Sequence, residues 1–201
     1  VSAQYRCALI QLALKKLSDG RLQEALKLLE ATITYPENLG EGKLPNVPDN
    51  QAHYYMGIAY RMMDEEEKAR EYFELATEGD SEPGSVLYYN DQPSDYIFYQ
   101  GLANRELNRE AAARKSFHQL IIYGEKHLFD KTDYDFFAVS LPEIEVFQDN
   151  IQLRNTQYCN YLRALGAIGL GEKDKARELL KGILAKQADD LGALTHMKMT
   201  E

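Results

Sequence analysis

The feature that most constrains this chain is the placement of small residues in the segment 50–81. These residues stand where two antiparallel helices would touch each other: Gly57, Ala59, Ala69 and Ala76. Large residues would fill the space between successive helical hairpins: Tyr55, Tyr60 and Phe73. A bulky side chain at Ala69 would push the second helix away from the first. The segment therefore predicts one closely packed helical hairpin.

This spacing resembles the tetratricopeptide repeat (TPR), a helix-turn-helix unit of about 34 residues. Four copies of the template begin at Arg6, Asn50, Ser94 and Gln157. They span residues 6–39, 50–83, 94–127 and 157–190. Their starts lie 44, 44 and 63 residues apart, so insertions separate them, the longest at residues 128–156. The resemblance implies an all-α fold, a right-handed α-α superhelix (a TPR solenoid) of four helix-turn-helix repeats with insertions, and a single domain over residues 1–201.

Capping and turn residues agree with these repeats. N-cap residues that accept hydrogen bonds from the first free amides of a helix are expected at Asp49 or Asn50, at Ser94, and at Asp149 or Asn150. Gly20 and Gly171 are expected to end first helices with a positive φ. The acidic run 64–67 is read as a solvated helix start, where negative charge is favourable. The tail 191–201 is read as part of a closing helix.

The resemblance also implies a binding surface, because these repeats usually bind peptides or helices in a concave groove lined by the first helix of each repeat. The groove positions are predicted to bind a protein or peptide partner through Tyr54, Ile58, Arg61, Phe98, Leu102, Arg105 and Tyr161. Gln51 and Met62 belong to the same face. The arginines would bind carboxylates or carbonyl groups. The alternative is that several of these side chains only pack against the next hairpin.

The corresponding positions of the first repeat carry no polar clamp. In the first two repeats Ile10, Leu14 and Tyr55 stand where a chaperone-binding clamp has Lys and Asn, so capture of a chaperone's C-terminal carboxylate is not expected. The groove positions of the first repeat, Ile10, Leu14 and Leu17, are all apolar. A solvated groove is not expected to be this apolar. We expect this end to be covered by an N-terminal domain that precedes the sequence, by an insertion, or by another subunit in a homodimer.

The insertion 128–156 is also too apolar for a solvated loop. It contains Phe136, Phe137 and Val139, and a capping pattern at Ser140 and Glu143 predicts a short helix over 141–147. This helix would either cover the side of the third and fourth repeats or fold into the groove.

Charge and composition exclude several function classes. The formal net charge is −9, which argues against nucleic-acid and anionic-membrane partners. Cys7 and Cys159 are read as small buried hydrophobes. The sequence is compatible with a cytoplasmic and with a periplasmic location.

The sequence gives little support for a metal site, a phosphate-binding site or a catalytic site. His127, Asp130, Asp133 and Asp135 lack the spacing of an EF-hand. Gly40–Lys43 lacks a glycine at Glu37 and a hydroxyl residue at Leu44, so it is not a phosphate-binding loop. The sequence gives no reason to place a Cys or Ser partner beside any of the four histidines. We therefore expect no catalytic residue, no metal and no cofactor.

A closer resemblance involves the insertions as well. Three stretches are similar to the C-terminal TPR tail of large bacterial multidomain proteins that carry an uncharacterised β-rich domain, often in a carbohydrate-use context: YPENLGEGKL, YYNDQPSDYIFYQGLA and YGEKHLFD.

The sequence leaves two functions open. The first is a non-enzymatic scaffold for protein-protein or interdomain binding. The second is an accessory domain of a carbohydrate-active protein, with the Tyr-rich groove and the insertion 128–156 forming part of a glycan site. Separately, Tyr88-Tyr89 is read either as a sugar-stacking platform or as packing of the loop onto the solenoid.

Overall fold

A computed structural model describes residues 2–36, 38, 40, 42–43, 47–86, 92–131 and 150–201 of the chain. Several predictions lie outside these residues. They concern the helix over 141–147, the Tyr88-Tyr89 platform, the cap at Asp149, the carboxylates of Asp133 and Asp135, and the loop positions Glu37 and Leu44.

Every regular element in the described residues is a helix, which confirms the all-α helical-repeat fold class. The helices are α1 (Ser2–Ser18), α2 (Leu22–Ile33), α3 (Asn50–Met62), α4 (Glu66–Ala76), α5 (Tyr96–Glu106), α6 (Glu110–His127), α7 (Ile151–Leu170), α8 (Lys173–Leu184) and α9 (Leu191–Met197). A 3-10 helix, Lys198–Thr200, follows α9. The predicted closing helix of the tail is confirmed.

The chain divides into two compact units. The first comprises Val1–Ser81 and Tyr96–Ser116. In this unit α1 packs on α2, α2 on α3, α3 on α4, and α5 on both α3 and α4. Its core includes Ala13, Leu29 and Met56.

The second unit comprises Glu82–Asp95 and Phe117–Glu201. In it α7 packs on α8 and α8 packs on α9. Ala164, Leu180, Ile183 and Ala193 form a buried cluster. The single domain over residues 1–201 stays a prediction.

A left-handed residue follows the first helix of each predicted repeat. The value of φ is +72° at Gly20, +61° at Asp64, +58° at Asn108 and +81° at Gly171. The amide of the next residue donates to a carbonyl five residues earlier, at 2.8–3.0 Å, in the pairs Arg21–Lys16, Glu65–Tyr60, Arg109–Asn104 and Glu172–Ala167. This is the Schellman geometry, which satisfies carbonyls at a helix end. The four turns have the spacing predicted for the four repeats.

These turns confirm Gly20 and Gly171 as helix-ending glycines and correct the prediction for Asp64. Asp64 does not lie in a helix start: it occupies the left-handed turn position, and α4 begins at Glu66. Asp and Asn are the residues other than glycine that adopt this conformation most readily.

The second helix of each repeat carries the same packing pattern. An alanine with no exposed surface stands in the first turns, at Ala25, Ala69, Ala113 and Ala176. One turn later a fully buried large residue follows, at Leu29, Phe73, Phe117 and Leu180. The small residue permits close helix approach and the large one fills the core beside it. The register of the four second helices is therefore the predicted one.

The predicted N-caps have different outcomes. Asn150 is confirmed, because its side chain accepts a hydrogen bond from the Leu153 amide at 2.9 Å. Helix α7 therefore begins at Ile151, ahead of the predicted repeat start at Gln157. The Ser94 hydroxyl accepts from the Gly84 amide at 2.9 Å, and α5 begins only at Tyr96.

The cap predicted for α3 is wrong. Asp49 stands at the N-cap position without a side-chain cap hydrogen bond. Its carboxylate instead forms ion pairs with Arg6 and Lys43. Asn50 is buried inside the helix, where its amide donates to the carbonyls of Ala76 at 2.9 Å and Glu78 at 2.8 Å. These bonds satisfy carbonyls at the end of α4 instead of amides at the start of α3.

Candidate functional site

The predicted binding face of the first unit rests on an aromatic cluster. The ring of Tyr54 lies 5.2 Å from Tyr55, 5.9 Å from Tyr99 and 6.0 Å from Phe73 between centroids. The side chain of Gln51 donates to the Tyr99 hydroxyl at 2.7 Å. Edge-to-face and tilted arrangements of this kind stabilise aromatic pairs. These aromatic contacts join α3 and α5 beneath the predicted binding face.

Burial shifts the titration of two tyrosines of this cluster to higher pH. It raises the pKa of Tyr55 to about 12, and it also raises the pKa of Tyr54. Tyr54 is only 9% exposed and Tyr99 is fully buried. Tyr54 therefore packs beneath the predicted binding face, and little of its ring is accessible to a partner.

Arg61 lies at the edge of this cluster. Its guanidinium is ion-paired with the carboxylate of Glu106 and lies 4.6 Å from the centroid of the Phe73 ring. The Glu66 carboxylate is 3.9 Å from its Nε. The side chain keeps 35% of its surface exposed. Arg61 is thus a positioned cation with an exposed side and an internal counter-ion.

Arg105 occupies the position equivalent to Arg61 in the next repeat. Its Nε lies 3.3 Å from the Glu110 carboxylate, and 40% of its side chain is exposed. Both arginines are therefore held by carboxylates of the chain. The sequence analysis placed both arginines in the groove but missed these ion pairs. Glu110 follows Arg105 by five positions, so the sequence gives a local signal for that pair, whereas Glu106 lies 45 positions from Arg61.

The other predicted residues differ in accessibility. Phe98 is fully buried and Leu102 is 9% exposed, so neither can contact a partner in this conformation. Ile58 is half-buried, and Met62 is 51% exposed. The binding role of these residues stays a prediction, and the accessible part of the set in the first unit is Ile58, Arg61 and Arg105, with Met62 beside them.

Tyr161 belongs to the second unit and packs on the closing helix. Its hydroxyl lies 3.1 Å from Nδ1 of His196, and the two rings meet edge-on at 5.6 Å. His196 is 2% exposed, and burial lowers its pKa to about 4. Tyr161 therefore has a structural contact that the sequence did not predict.

The apolar positions of the first repeat are covered by the chain itself. Ile10 is 5% exposed and Leu17 is 7% exposed. Leu14 packs against the core cluster of the first unit. Their apolar character therefore needs no additional cover, because they form part of the core, and a preceding domain or a second subunit at this end stays a prediction.

Other candidate sites show limited chemistry within the described ranges. His127 Nδ1 lies 2.6 Å from the Asp130 carboxylate, and no group of three potential metal ligands occurs among the described residues. Cys159 is buried as predicted, whereas Cys7 is half-buried, and both are free thiols. No described helix has the length and apolar character needed to cross a membrane.

Comparison with known families gives one match. Residues 51–78 match the family model of the tetratricopeptide repeat. The match covers nearly all of α3 and the whole of α4, including Arg61 and Met62. It supports the TPR resemblance, whereas the closer resemblance to large bacterial multidomain proteins stays a prediction. No solved structure matches the chain significantly.

Proposed function

We propose that the chain is a non-enzymatic scaffold that binds a protein or peptide through the exposed face formed by Ile58, Arg61, Met62 and Arg105, called the α3–α5 face below. The observation that carries the proposal is the position of Arg61. It is a half-exposed cation, fixed on the Phe73 ring, next to a methionine that is 51% exposed.

The TPR match supports this assignment in general terms, since such repeats typically mediate protein-protein interactions and the matched residues contain three of the four residues of the face. The chemistry supports it in particular. Arginine is favoured at interfaces because its planar guanidinium binds carboxylates with two hydrogen bonds. Methionine adapts its shape to apolar partners.

The ion pairs of the two arginines suggest how a partner would bind. Partly exposed ion pairs contribute only about 0–1 kcal/mol. A partner carboxylate can therefore replace Glu106 at Arg61 at little cost. The partner we propose is a segment with an acidic residue next to a large apolar one, which would contact Met62 and Ile58.

The aromatic cluster beneath the α3–α5 face does not favour the glycan alternative. A glycan site requires exposed aromatic faces beside carboxylates, whereas Tyr54 and Tyr99 of this face are buried. A second copy of the chain and a preceding domain are further possible occupants of the same face.

The test begins with selection of binders from a random peptide library displayed against the full chain. Affinities of the selected peptides are then measured by fluorescence anisotropy for wild type, Arg61→Gln and Met62→Ser. We expect enrichment of acidic residues next to apolar ones and a loss of at least about 10-fold for Arg61→Gln.

The matched control is Arg109→Gln. Arg109 is likewise exposed and paired, with Glu74 at 2.6 Å, but lies outside the face. Affinities that are equal in Arg61→Gln and Arg109→Gln would overturn the proposal. Sedimentation of the free chain identifies a second copy as the occupant if it shows a dimer that Met62→Ser dissociates.

A further inference from the structure

A separate pocket lies between α7 and α8 in the second unit. Its volume is about 310 Å³. Six residues line it: Asn160, Arg163, Lys175, Glu178, Leu179 and Gly182. It is an open groove at the surface, because Lys175, Glu178 and Gly182 are exposed. None of the residues predicted to bind a partner belongs to it.

Arg163 is one of the residues that line the pocket, and its stem is held by close packing. A Cβ placed on Gly124 of α6 would come within 2.6 Å of Arg163 Cγ and 2.5 Å of the Cys159 carbonyl oxygen. Only glycine at position 124 leaves room for the arginine stem between these helices. The methylene groups of Arg163 are therefore fixed, and so is the direction of its guanidinium.

The guanidinium of Arg163 uses only part of its hydrogen-bonding capacity among the described residues. Its Nη1 donates to the Asn160 side-chain oxygen at 2.8 Å, whereas the buried Nε has no hydrogen-bond partner. Among the described residues, no carboxylate forms an ion pair with Arg163, in contrast to Arg61, Arg105 and Arg109. A partly buried charge is unfavourable unless an anion compensates it, and Glu178 is the one carboxylate among the residues that line the pocket. Arg163 therefore has the properties of an anion-binding group.

Gly182 is a second unexplained feature of the wall. It lies inside helix α8, where glycine costs about 0.5–1 kcal/mol relative to alanine. Its φ is not positive, and a Cβ added there would meet nothing within 4 Å. Packing therefore does not require glycine at this position. A longer side chain would instead extend into the pocket, so Gly182 keeps the pocket open.

The remaining wall residues define the ligand. Lys175 adds a second cation, engaged only by an exposed ion pair to Glu172 at 3.1 Å. Glu178 offers an acceptor, and Leu179 offers apolar surface. We propose that this pocket binds the carboxylate group of a small organic acid or of a peptide chain end. The carboxylate binds between Arg163 and Lys175, an N–H or hydroxyl of the ligand donates to Glu178, and its apolar part lies on Leu179.

The experiment follows the ¹⁵Nε–Hε NMR signal of Arg163 in the full chain. The probes are a mixture of N-acetyl amino acids, a mixture of N-acetyl tripeptides with free C-termini, and the same tripeptides as C-terminal amides. We expect a saturable shift with free carboxylates and affinity at least about 10-fold weaker for the amides, because the charge-assisted hydrogen bonds are lost. Binding by the acetylated amino acids identifies a small organic acid, and binding by the tripeptides alone identifies a chain end.

Two variants separate pocket binding from surface attraction. Gly182→Met fills the pocket from a position with free space, so it should fold normally and abolish the shift. Lys181→Met changes the adjacent exposed residue, which does not line the pocket, and should leave affinity within 2-fold. No shift with any probe up to about 10 mM, equal shifts with acids and amides, or an unchanged shift in Gly182→Met would each overturn the proposal.

Discussion

Gly57 of α3 lies directly against the ring of Phe73 of α4. A Cβ on Gly57 would come within 2.5 Å of Phe73 Cε1 and 2.6 Å of Cδ1. Phe73 is fully buried, and its ring also lies beneath the guanidinium of Arg61. The close approach of the two helices thus positions the ring on which the proposed binding arginine rests.

Substitution of Gly57 by alanine should destabilise the chain by about 2 kcal/mol, because the added methyl group displaces a buried ring. Gly182→Ala is the matched control: the same change in open space should stabilise by about 0.5–1 kcal/mol. Urea unfolding followed by circular dichroism measures both. Equal effects of the two substitutions would show that the close approach at Gly57 is not a constraint.

Glycine should stabilise the two turns that lack it, whereas alanine should destabilise the two turns that have it. Asp64 and Asn108 have φ of +61° and +58°, so Asp64→Gly and Asn108→Gly should each stabilise by up to about 1 kcal/mol. Gly20→Ala and Gly171→Ala should each destabilise by about 1 kcal/mol. Thermal unfolding of the four variants tests this, and a loss of stability in both Asp64→Gly and Asn108→Gly would contradict it.

His196 should make the chain sensitive to acid. Burial lowers its pKa to about 4, whereas a free histidine has a pKa of about 6.5. The unfolded chain therefore takes up the proton first as the pH falls. The stabilising contribution is complete above about pH 6.5 and is lost progressively towards pH 4.

The measurement is the free energy of unfolding at pH 7 and pH 5. Wild type should lose on the order of 1–2 kcal/mol more than His196→Gln over this interval. His118→Gln, an exposed histidine, is the control and should behave as wild type. Parallel losses in wild type and His196→Gln would rule out this role.

Release of Arg61 from its internal partner should strengthen peptide binding. Glu106→Gln removes the competing carboxylate, so the affinity for an acidic peptide selected on this chain should rise by about 3-fold, since such pairs contribute less than about 1 kcal/mol. Glu74→Gln, which frees Arg109 outside the face, should leave the affinity unchanged. Anisotropy titration at constant salt measures both, and weaker binding by Glu106→Gln would argue against the proposed exchange.

Much of the repeat could be predicted because it is encoded locally. The buried alanines and the glycine turns follow from the spacing of small residues. The turns at Asp64 and Asn108 were not recognised, because Asp and Asn also occur at helix starts and only the backbone geometry distinguishes the two.

The candidate face was harder to predict for a different reason. A repeat template assigns residues to one side of a helix, but it does not reveal what covers that side. Phe98 and Leu102 are therefore buried despite their template positions. The pairing of Arg61 with Glu106 joins residues from different repeats, and the environment of Arg163 depends on Gly124 of another helix. Neither relationship follows from local periodicity.

The most direct test of the proposed function is methyl NMR of the full chain with ¹³C-labelled methionine and isoleucine, titrated with a selected acidic peptide. The account predicts that the methyl signals of Met62 and Ile58 shift at the lowest peptide concentrations and that Arg61→Gln raises the peptide concentration needed for these shifts by at least about 10-fold. Shifts confined to methionines and isoleucines outside the α3–α5 face, or shifts at Met62 that occur at the same peptide concentrations in Arg61→Gln as in wild type, would contradict it.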